Sequence, residues 1–167
     1  MKETLTRHQH AWQTLAALLS ALPLLAWAGA TATVTVKVTV VAPPPCVIND
    51  NRPIEVEFGD VMTTRVDGSN YKMPVNYTLS CTGAPSNAMK LQVKGTGAAF
   101  DATVLQTNKA ELGIELRQGD SKLAVNDWLN FTYPNKLELW AVPVKQAGAT
   151  LAGGEFSAGA TMAVDYQ

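Results

Sequence analysis

Side chains that could do chemistry are scarce in this sequence, and the histidines and cysteines are the first to consider. His8 and His10 are the two histidines of the 167-residue chain, and both lie close to its start. Cys46 and Cys81 are its two cysteines. They are too far apart for the C-x-x-C arrangement of redox sites. What these side chains can do depends on the compartment to which the chain is sent.

The first thirty residues have the pattern of a secretory signal. Two basic residues precede an apolar run over residues 11–25, which is too short to span a bilayer and leads into small residues at 26–30. Cleavage after Ala30 fits the A-x-A rule, and cleavage after Ala28 fits nearly as well. An N-terminal membrane anchor is the alternative interpretation. Removing residues 1–30 removes both histidines, which excludes His-based triads and most zinc sites.

In an exported chain the two cysteines are expected to form one disulfide, because oxidising compartments favour pairing of an even number of cysteines. Cys46 and Cys81 would close a loop of about 36 residues, which stabilises a fold by roughly 4 kcal/mol on the chain-entropy account. A reactive thiol pair is the alternative.

No other set of residues predicts catalysis or metal binding. Asp60, Asp67, Asp101 and Asp120 each lie beside turn glycines or at strand ends, where aspartate commonly serves turn geometry. No D-x-D-x-D spacing of a calcium loop is present. The formal net charge is -1 and the basic residues are scattered, so we expect no nucleic-acid partner. The sequence predicts a protein that is not an enzyme and that needs no cofactor and no metal.

The elements that must position these residues are β-strands. Beyond the signal we find no stretch of about ten residues with a helical apolar stripe, whereas period-two alternation recurs throughout. It predicts strands at residues 54–58, 73–81, 89–93, 112–116, 137–141 and 156–166. Pro143 is expected to end the penultimate strand or to push it to an edge. Two antiparallel sheets packed face to face would cover the apolar face of each strand.

The start of the mature chain is an unusually regular β-forming arm. Its apolar face is made of Val34, Val36, Val38 and Val40, and its other face is made of threonines and Lys37. Three prolines at 43–45 then separate the arm from the body of the chain. An exposed arm of this composition would promote aggregation if it had no partner. We therefore expect something to receive it.

Taken together, these features resemble the structural subunits of bacterial pili that are assembled by the chaperone-usher route. The resemblance covers the whole mature chain. It is carried by the alternating arm at 33–41, the pair Pro45-Cys46, the partner Cys81, and the ending G-x-F-x-A-x-A-x-M-x-V-x-Y-Q from Gly154 to Gln167.

The resemblance implies an incomplete immunoglobulin-like β-sandwich that lacks its seventh strand and has an N-terminal donor-strand extension. It divides the chain into a signal peptide at 1–30, a donor arm and proline linker at 31–45, and a pilin domain at 46–167. The missing strand would leave a hydrophobic groove flanked by a C-terminal strand, whose groove and chaperone-binding residues are Gly154, Phe156, Ala158, Ala160, Met162, Val164, Tyr166 and Gln167.

The resemblance also implies the partners and the location of the protein. A periplasmic chaperone would fill the groove first, with its basic residues holding the carboxylate of Gln167. An outer-membrane usher would then exchange the chaperone for the valine arm of a neighbouring subunit. The protein would be exported through the periplasm to the cell-surface fimbrium. The chain looks more like a minor or adaptor subunit than an adhesin, and a major shaft pilin is the alternative.

Two features depart from the simplest form of this interpretation. Many members of the family have a glycine where our alignment places Val38, so either the accepting groove is wider there or the register differs by one. Trp128, Phe131 and Tyr133 lie close together in the sequence near a predicted loop, and a sugar-stacking site can be imagined there. A secreted ligand-binding β-sandwich is therefore the second hypothesis, although aromatic side chains of a sandwich are mostly core or edge packing.

Overall fold

The computed structural model describes Ala42 and residues 44–167. The predicted signal and the valine arm lie outside these residues. The described chain has two short 3-10 helices, Asn49–Asn51 and Thr63–Arg65, and eleven strands. The strands are β1 (Cys46–Ile48), β2 (Met73–Val75), β3 (Leu79–Cys81), β4 (Ala88–Gly95), β5 (Gly97–Ala98), β6 (Asp101–Gln106), β7 (Leu112–Gln118), β8 (Ser121–Leu123), β9 (Trp128–Thr132), β10 (Leu139–Lys145) and β11 (Ala160–Tyr166). The predicted all-β class is confirmed.

The strands form antiparallel sheets around one core. The largest sheet has the order β2-β10-β7-β6-β5, with β8 paired to β7. A second sheet has the order β11-β4-β9, and β1 pairs with β3 in a third. In each pair the strands run antiparallel. This pairing leaves one face of each strand for the core and one for the surface.

The core lies between the two larger sheets. Met89 and Leu91 of β4 are 0% exposed and belong to one apolar cluster with Ile114 and Leu116 of β7. These residues alternate along their strands because successive side chains of a strand point to opposite faces. Full burial of each large apolar side chain stabilises the fold by roughly 1.5 to 3 kcal/mol, so this cluster is the main source of stability.

The predicted disulfide is confirmed. Cys46 and Cys81 are joined by an S–S bond of 2.07 Å. They lie directly opposite each other in the pairing of β1 with β3. The bond therefore ties the start of the folded body to a strand that is distant in sequence.

The strand predicted over residues 73–81 is two strands in different sheets. β2 pairs with β10 and β3 pairs with β1, so residues 76–78 carry the chain from one sheet to the other. Tyr77 lies at this change of sheet and is buried, and its hydroxyl donates a hydrogen bond of 2.8 Å to the carbonyl of Leu137. The apolar alternation continues across the break because both sheets face the same core.

Two other predicted strands differ from the observed elements. Residues 54–58 form no strand, although half-buried Ile54, Val56 and Phe58 alternate with exposed residues as predicted. The last strand, β11, begins at Ala160 rather than at Phe156. A strand needs a hydrogen-bonded neighbour, and in the described chain neither residues 54–58 nor residues 156–159 have one in a ladder.

Pro143 does not end its strand. β10 continues to Lys145, and Pro143 lies opposite Ile114 of β7. On the other side of β10, β2 reaches only residues 139–141. Among the described residues, Pro143 therefore has a strand partner on one side only, and such an edge position is one of the places where a sheet tolerates proline.

The sequence did not predict β1, β5, β6, β8 or β9. In β6, Val104 and Leu105 are both buried in succession, so this strand lacks the alternation by which the other strands were found. Trp128, Phe131 and Tyr133 were expected near a loop. In the structure Trp128 and Phe131 belong to β9, where one is exposed and the other is buried.

Candidate functional site

An apolar groove of about 870 Å³ lies beside the core. Its floor consists of core residues from both large sheets. They include Val93 of β4, Leu105 of β6, Ile114 and Leu116 of β7, and Leu139 and Ala141 of β10. Its two walls come from residues 54–61 and from residues 151–162. The groove is thus an opening through which the core itself can be reached.

The first wall is the chain segment that follows β1. Ile54, Val56 and Phe58 are half-buried and turn toward the core cluster. In the part of the chain that the structure describes, the backbone of residues 54–61 makes no hydrogen bond with another element. Alternating apolar side chains without a ladder partner are what a sheet edge with a vacant neighbouring position presents.

The second wall is the segment that ends in β11. β11 pairs with β4 along its whole length, from Ala160 opposite Gly95 to Tyr166 opposite Met89. On its other edge β11 has no strand partner among the described residues. That edge faces the groove, because Ala160 and Met162 line it. A strand added at this edge could therefore hydrogen-bond to β11 through its backbone. The side chains of that same strand could cover the floor of the groove.

The two walls touch through one aromatic pair. The ring centroids of Phe58 and Phe156 are 5.8 Å apart and the planes are tilted by 36°. Such a pair is worth about 0.5 to 1.5 kcal/mol beyond the area it buries. The contact holds the walls near each other without any backbone bond between them.

A turn between β6 and β7 fixes the second wall. The backbone N–H of Asn108 donates to the carbonyl of Ser157 at 3.1 Å, and the Ser157 N–H donates to the Asn108 side-chain oxygen at 3.0 Å. The ammonium group of Lys109 donates to the carbonyl of Gly153 at 3.1 Å. Three hydrogen bonds thus substitute for the ladder that the segment before β11 lacks.

The C-terminal residue is fixed to the sheet by its side chain. The Gln167 amide nitrogen donates to the carbonyls of Met89 at 2.8 Å and Phe131 at 3.1 Å. The Gln167 backbone N–H donates to the carbonyl of Ala88 at 3.2 Å. The hydroxyl of Tyr166 is buried and has no hydrogen-bond partner within the described residues. The end of β11 is therefore anchored to β4 and to β9, the other two strands of its sheet.

The structure brings most of the predicted C-terminal site residues together. Gly154, Phe156, Ala158, Ala160 and Met162 line the groove, and Gly154 has a φ of +107°, which favours glycine. A second group continues along β11 past the groove: Val164 and Tyr166 pack against the core cluster, and Gln167 follows them. The predicted donor residues Val34, Val36, Val38 and Val40 lie outside the described residues.

Sequence reasoning missed the first wall and the turn that holds the second. Residues 54–58 were predicted as an ordinary strand, and their alternation is the same as that of a strand with a partner. Nothing in the sequence marks Asn108 and Lys109, because their partners are more than forty positions away.

The aromatic residues of the imagined sugar site do not share a surface. Trp128 is 40% exposed on the outer face of β9, with the ammonium group of Lys90 at 5.1 Å from its ring, whereas Phe131 is buried on the opposite face. The hydroxyl of Tyr133 accepts a hydrogen bond of 3.4 Å from the Cys81 backbone N–H. Phe131 thus packs in the core, and Tyr133 accepts a hydrogen bond from a distant part of the chain.

Perturbed ionisable groups lie away from the groove. Burial raises the pKa of Tyr77 to about 12, and the Thr103 hydroxyl and the Lys122 ammonium group lower the pKa of Asp101 to about 2. Across Ala42 and residues 44–167, no three acidic, cysteine or histidine side chains are grouped as metal ligands. Over the same residues, no helix has the length and apolar character needed to cross a membrane.

Comparison with known proteins decides the family. Residues 31–167 match the family described as fimbrial protein. The chain belongs to this family. It is 45% identical over 136 residues to the uncharacterized fimbrial-like protein YfcR of Escherichia coli K12, which covers 78% of each chain. It is 28% identical over 138 residues to the fimbrial adapter PapF of Escherichia coli, covering 74% of this chain and 81% of PapF.

The likeness to fimbrial proteins extends to the fold. The solved structure of the P pilus adaptor subunit PapF superposes with a TM-score of 0.57 at 27% identity, covering 75% of this chain and 98% of PapF. The resemblance noted from the arm and the C-terminal pattern is thus confirmed. The fimbrial protein described here is a chaperone-usher pilus subunit with an immunoglobulin-like sandwich, exported through the periplasm to a surface fimbria.

Proposed function

We propose that this fimbrial subunit polymerises by donor-strand exchange. Its groove accepts a strand from one neighbour, and its own arm, through Val34, Val36, Val38 and Val40, completes the groove of the next. In this role it is a structural and non-catalytic component of the fibre.

The observation that carries the proposal is the groove between two apolar walls that no ladder joins within the described residues. An incoming strand could hydrogen-bond to the outer edge of β11 and place alternate side chains on the floor. β11 is seven residues long, and the segment from Val34 to Val40 also has seven residues. At a rise of about 3.3 Å per residue, both extend over roughly 20 Å.

The energy of such a joint is favourable. Burial of the four valines contributes about 6 to 12 kcal/mol as an upper bound, at about 1.5 to 3 kcal/mol each. Each ladder hydrogen bond adds about 0.5 to 1.5 kcal/mol, and the loss of translational and side-chain freedom opposes association. The balance favours a joint that dissociates slowly.

Before polymerisation the groove needs a temporary occupant. A periplasmic chaperone would supply a strand to it and hold the Gln167 carboxylate, and an outer-membrane usher would be the place of exchange. Because the relatives include the fimbrial adapter PapF, we assign this subunit a minor or adaptor position in the fibre. A major shaft subunit is the alternative within the same mechanism.

The experiment uses the mature chain co-expressed with a pilus chaperone. Deletion of residues 31–41 should leave a one-to-one chaperone complex, because the groove is intact. The deleted subunit should accept the arm of a wild-type subunit but cannot donate to any groove. Alone it should therefore form no chains, and in mixtures with the wild-type protein it should occupy one end of a chain and shorten the chains. Chain length is read by gel filtration and by SDS-resistant ladders.

A matched variant distinguishes the contribution of the apolar side chains of the arm from that of its length. Replacing Val34, Val36, Val38 and Val40 by threonine keeps the length and β propensity of the arm but removes its apolar face. It should behave like the deletion. If either variant still donated to a neighbour, the role of the arm would be wrong. If the mature wild-type chain were a stable monomer without a chaperone, the ligand-binding sandwich would become the better hypothesis.

A further inference from the structure

The rim of the groove is strongly acidic. Four carboxylates, those of Glu57, Asp60, Glu111 and Glu155, belong to residues that line it, and all four residues are exposed. Lys109 is the one basic residue in the same lining. The floor of the groove is apolar, so the charge is confined to its edges.

Two of these acids stand where the walls meet. Glu57 lies between half-buried Val56 and Phe58 on the first wall, and Glu155 precedes Phe156 on the second. The Phe58 and Phe156 rings are in contact, with centroids 5.8 Å apart. Each wall therefore has an acidic residue directly before, in sequence, the phenylalanine that contacts the other wall.

The four rim carboxylates have no ion-pair partner among the described residues, where the salt bridges involve other acids. The single rim cation, the Lys109 ammonium group, donates to the carbonyl of Gly153 at 3.1 Å and forms no ion pair with these carboxylates, so the rim keeps an excess of negative charge. Charges of one sign along a cleft with low-dielectric walls focus the field and attract ligands of opposite sign.

We propose that this rim selects a donor strand that has a lysine or arginine on the face opposite its apolar residues. The inference rests on the proposed donor-strand function and specifies its partner. Neighbouring strands lie about 4.8 Å apart, so a strand inserted between the walls has the rim on both sides of its outward face. A basic side chain on that face reaches the carboxylates, while an acidic one is repelled.

The arm of a second copy of this chain has the required chemistry. Lys37 follows Val36 and precedes Val38 in the sequence, so in an arm that is extended as a strand it would be on the face opposite the valines, and it is the only charged residue in the segment 31–41. The other residues at alternate positions are Thr31, Thr33, Thr35, Thr39 and Val41, none of which carries a charge that would oppose the rim. A donor arm with glutamate at the position of Lys37 would lack this complementarity.

The test measures how fast synthetic donor peptides displace a pilus chaperone from the full mature subunit. Three peptides span residues 31–41: the natural sequence, Lys37→Thr and Lys37→Glu. At low ionic strength we expect the natural peptide to react on the order of 10-fold faster than the Lys37→Glu peptide, with Lys37→Thr between them. At about 0.5 M salt the difference should largely disappear, because screening shortens the reach of the charges.

The paired variant Glu57→Gln/Glu155→Gln keeps the size of both rim side chains and removes their charge. In this variant the three peptides should react at nearly equal rates even at low salt. Substitution of exposed Glu138, which is not part of the groove lining, by Gln is the matched control and should preserve the difference.

The outcomes distinguish the proposed selection by the acidic rim from the proposed strand exchange. Equal rates for all three peptides on the wild-type subunit would overturn selection by the rim while leaving strand exchange intact. Failure of every peptide to displace the chaperone, at any salt concentration, would overturn the proposed function itself.

Discussion

Tyr77 offers a test of how the two sheets are joined. The residue is 5% exposed at the point where the chain passes from one sheet to the other, and its hydroxyl donates to the Leu137 carbonyl at 2.8 Å. Replacement by phenylalanine keeps the ring and its contact with the Lys136 ammonium group, which lies 4.7 Å from the ring centroid. It leaves the buried carbonyl without its donor. We expect Tyr77→Phe to cost about 1 to 3 kcal/mol of unfolding free energy near pH 7.

The same hydroxyl makes the difference in unfolding free energy between the wild type and Tyr77→Phe depend on pH. Burial raises the pKa of Tyr77 from 10.0 to about 12 in the folded state. Between these values the unfolded state releases the proton and the folded state keeps it, so the unfolding free energy falls as pH rises. The stabilising contribution is fully present below pH 10 and is lost progressively toward pH 12, by roughly 3 kcal/mol in total.

The assay is urea unfolding of the mature subunit with a saturating donor peptide, from pH 7 to pH 12, for the wild type and for Tyr77→Phe. Titration of lysines and of the other tyrosines affects both proteins and cancels in the comparison. The advantage of the wild type should shrink above pH 10 and vanish or reverse near pH 12. Parallel pH profiles for the two proteins would refute the assignment of a buried, proton-retaining hydroxyl.

Three further predictions concern stability. Removal of the disulfide by Cys46→Ala/Cys81→Ala should lower the unfolding free energy by about 4 kcal/mol, and reduction of the wild type should reproduce the loss in urea unfolding. Asp101, whose pKa is lowered to about 2, should stabilise the fold above about pH 4 and lose that effect as pH falls through 2. The amount should not exceed about 1 kcal/mol because the carboxylate is partly exposed, and Asp101→Asn should show no such acid dependence in the same assay. Asn108→Ala should lower the unfolding free energy by about 1 kcal/mol, whereas Asn108→Asp, which keeps the acceptor oxygen, should retain it in thermal unfolding; equal losses would contradict the hydrogen bond to the groove wall.

Strand content was predictable where one face of a strand is buried and the other is exposed. The alternation at residues 89–93 and 112–116 became β4 and β7, because period two records directly which side chains face the core. Where two successive residues are buried, as Val104 and Leu105 are in β6, the same signal disappears. Alternation also failed to mark the break between β2 and β3, since both sides of the break face one core.

The candidate site was predictable on one side only. The pattern from Gly154 to Gln167 identified one wall, and its residues do line the groove or extend it. The opposite wall alternates in the same way as any strand, so nothing local distinguishes Ile54, Val56 and Phe58 from a paired strand. Among the described residues these three have no strand partner, and this follows from how the sheets assemble and not from the local sequence.

The sequence by itself determined the all-β class, the disulfide partners and the family, because these depend on residue type and on short-range periodicity. Only the tertiary structure decided which strands pair, and with that the place of the groove. Pairing is a long-range choice made by packing of the whole core, and strand preference changes with neighbours and burial. Contacts such as that of Phe58 with Phe156, nearly a hundred residues apart, exist only after that choice has been made.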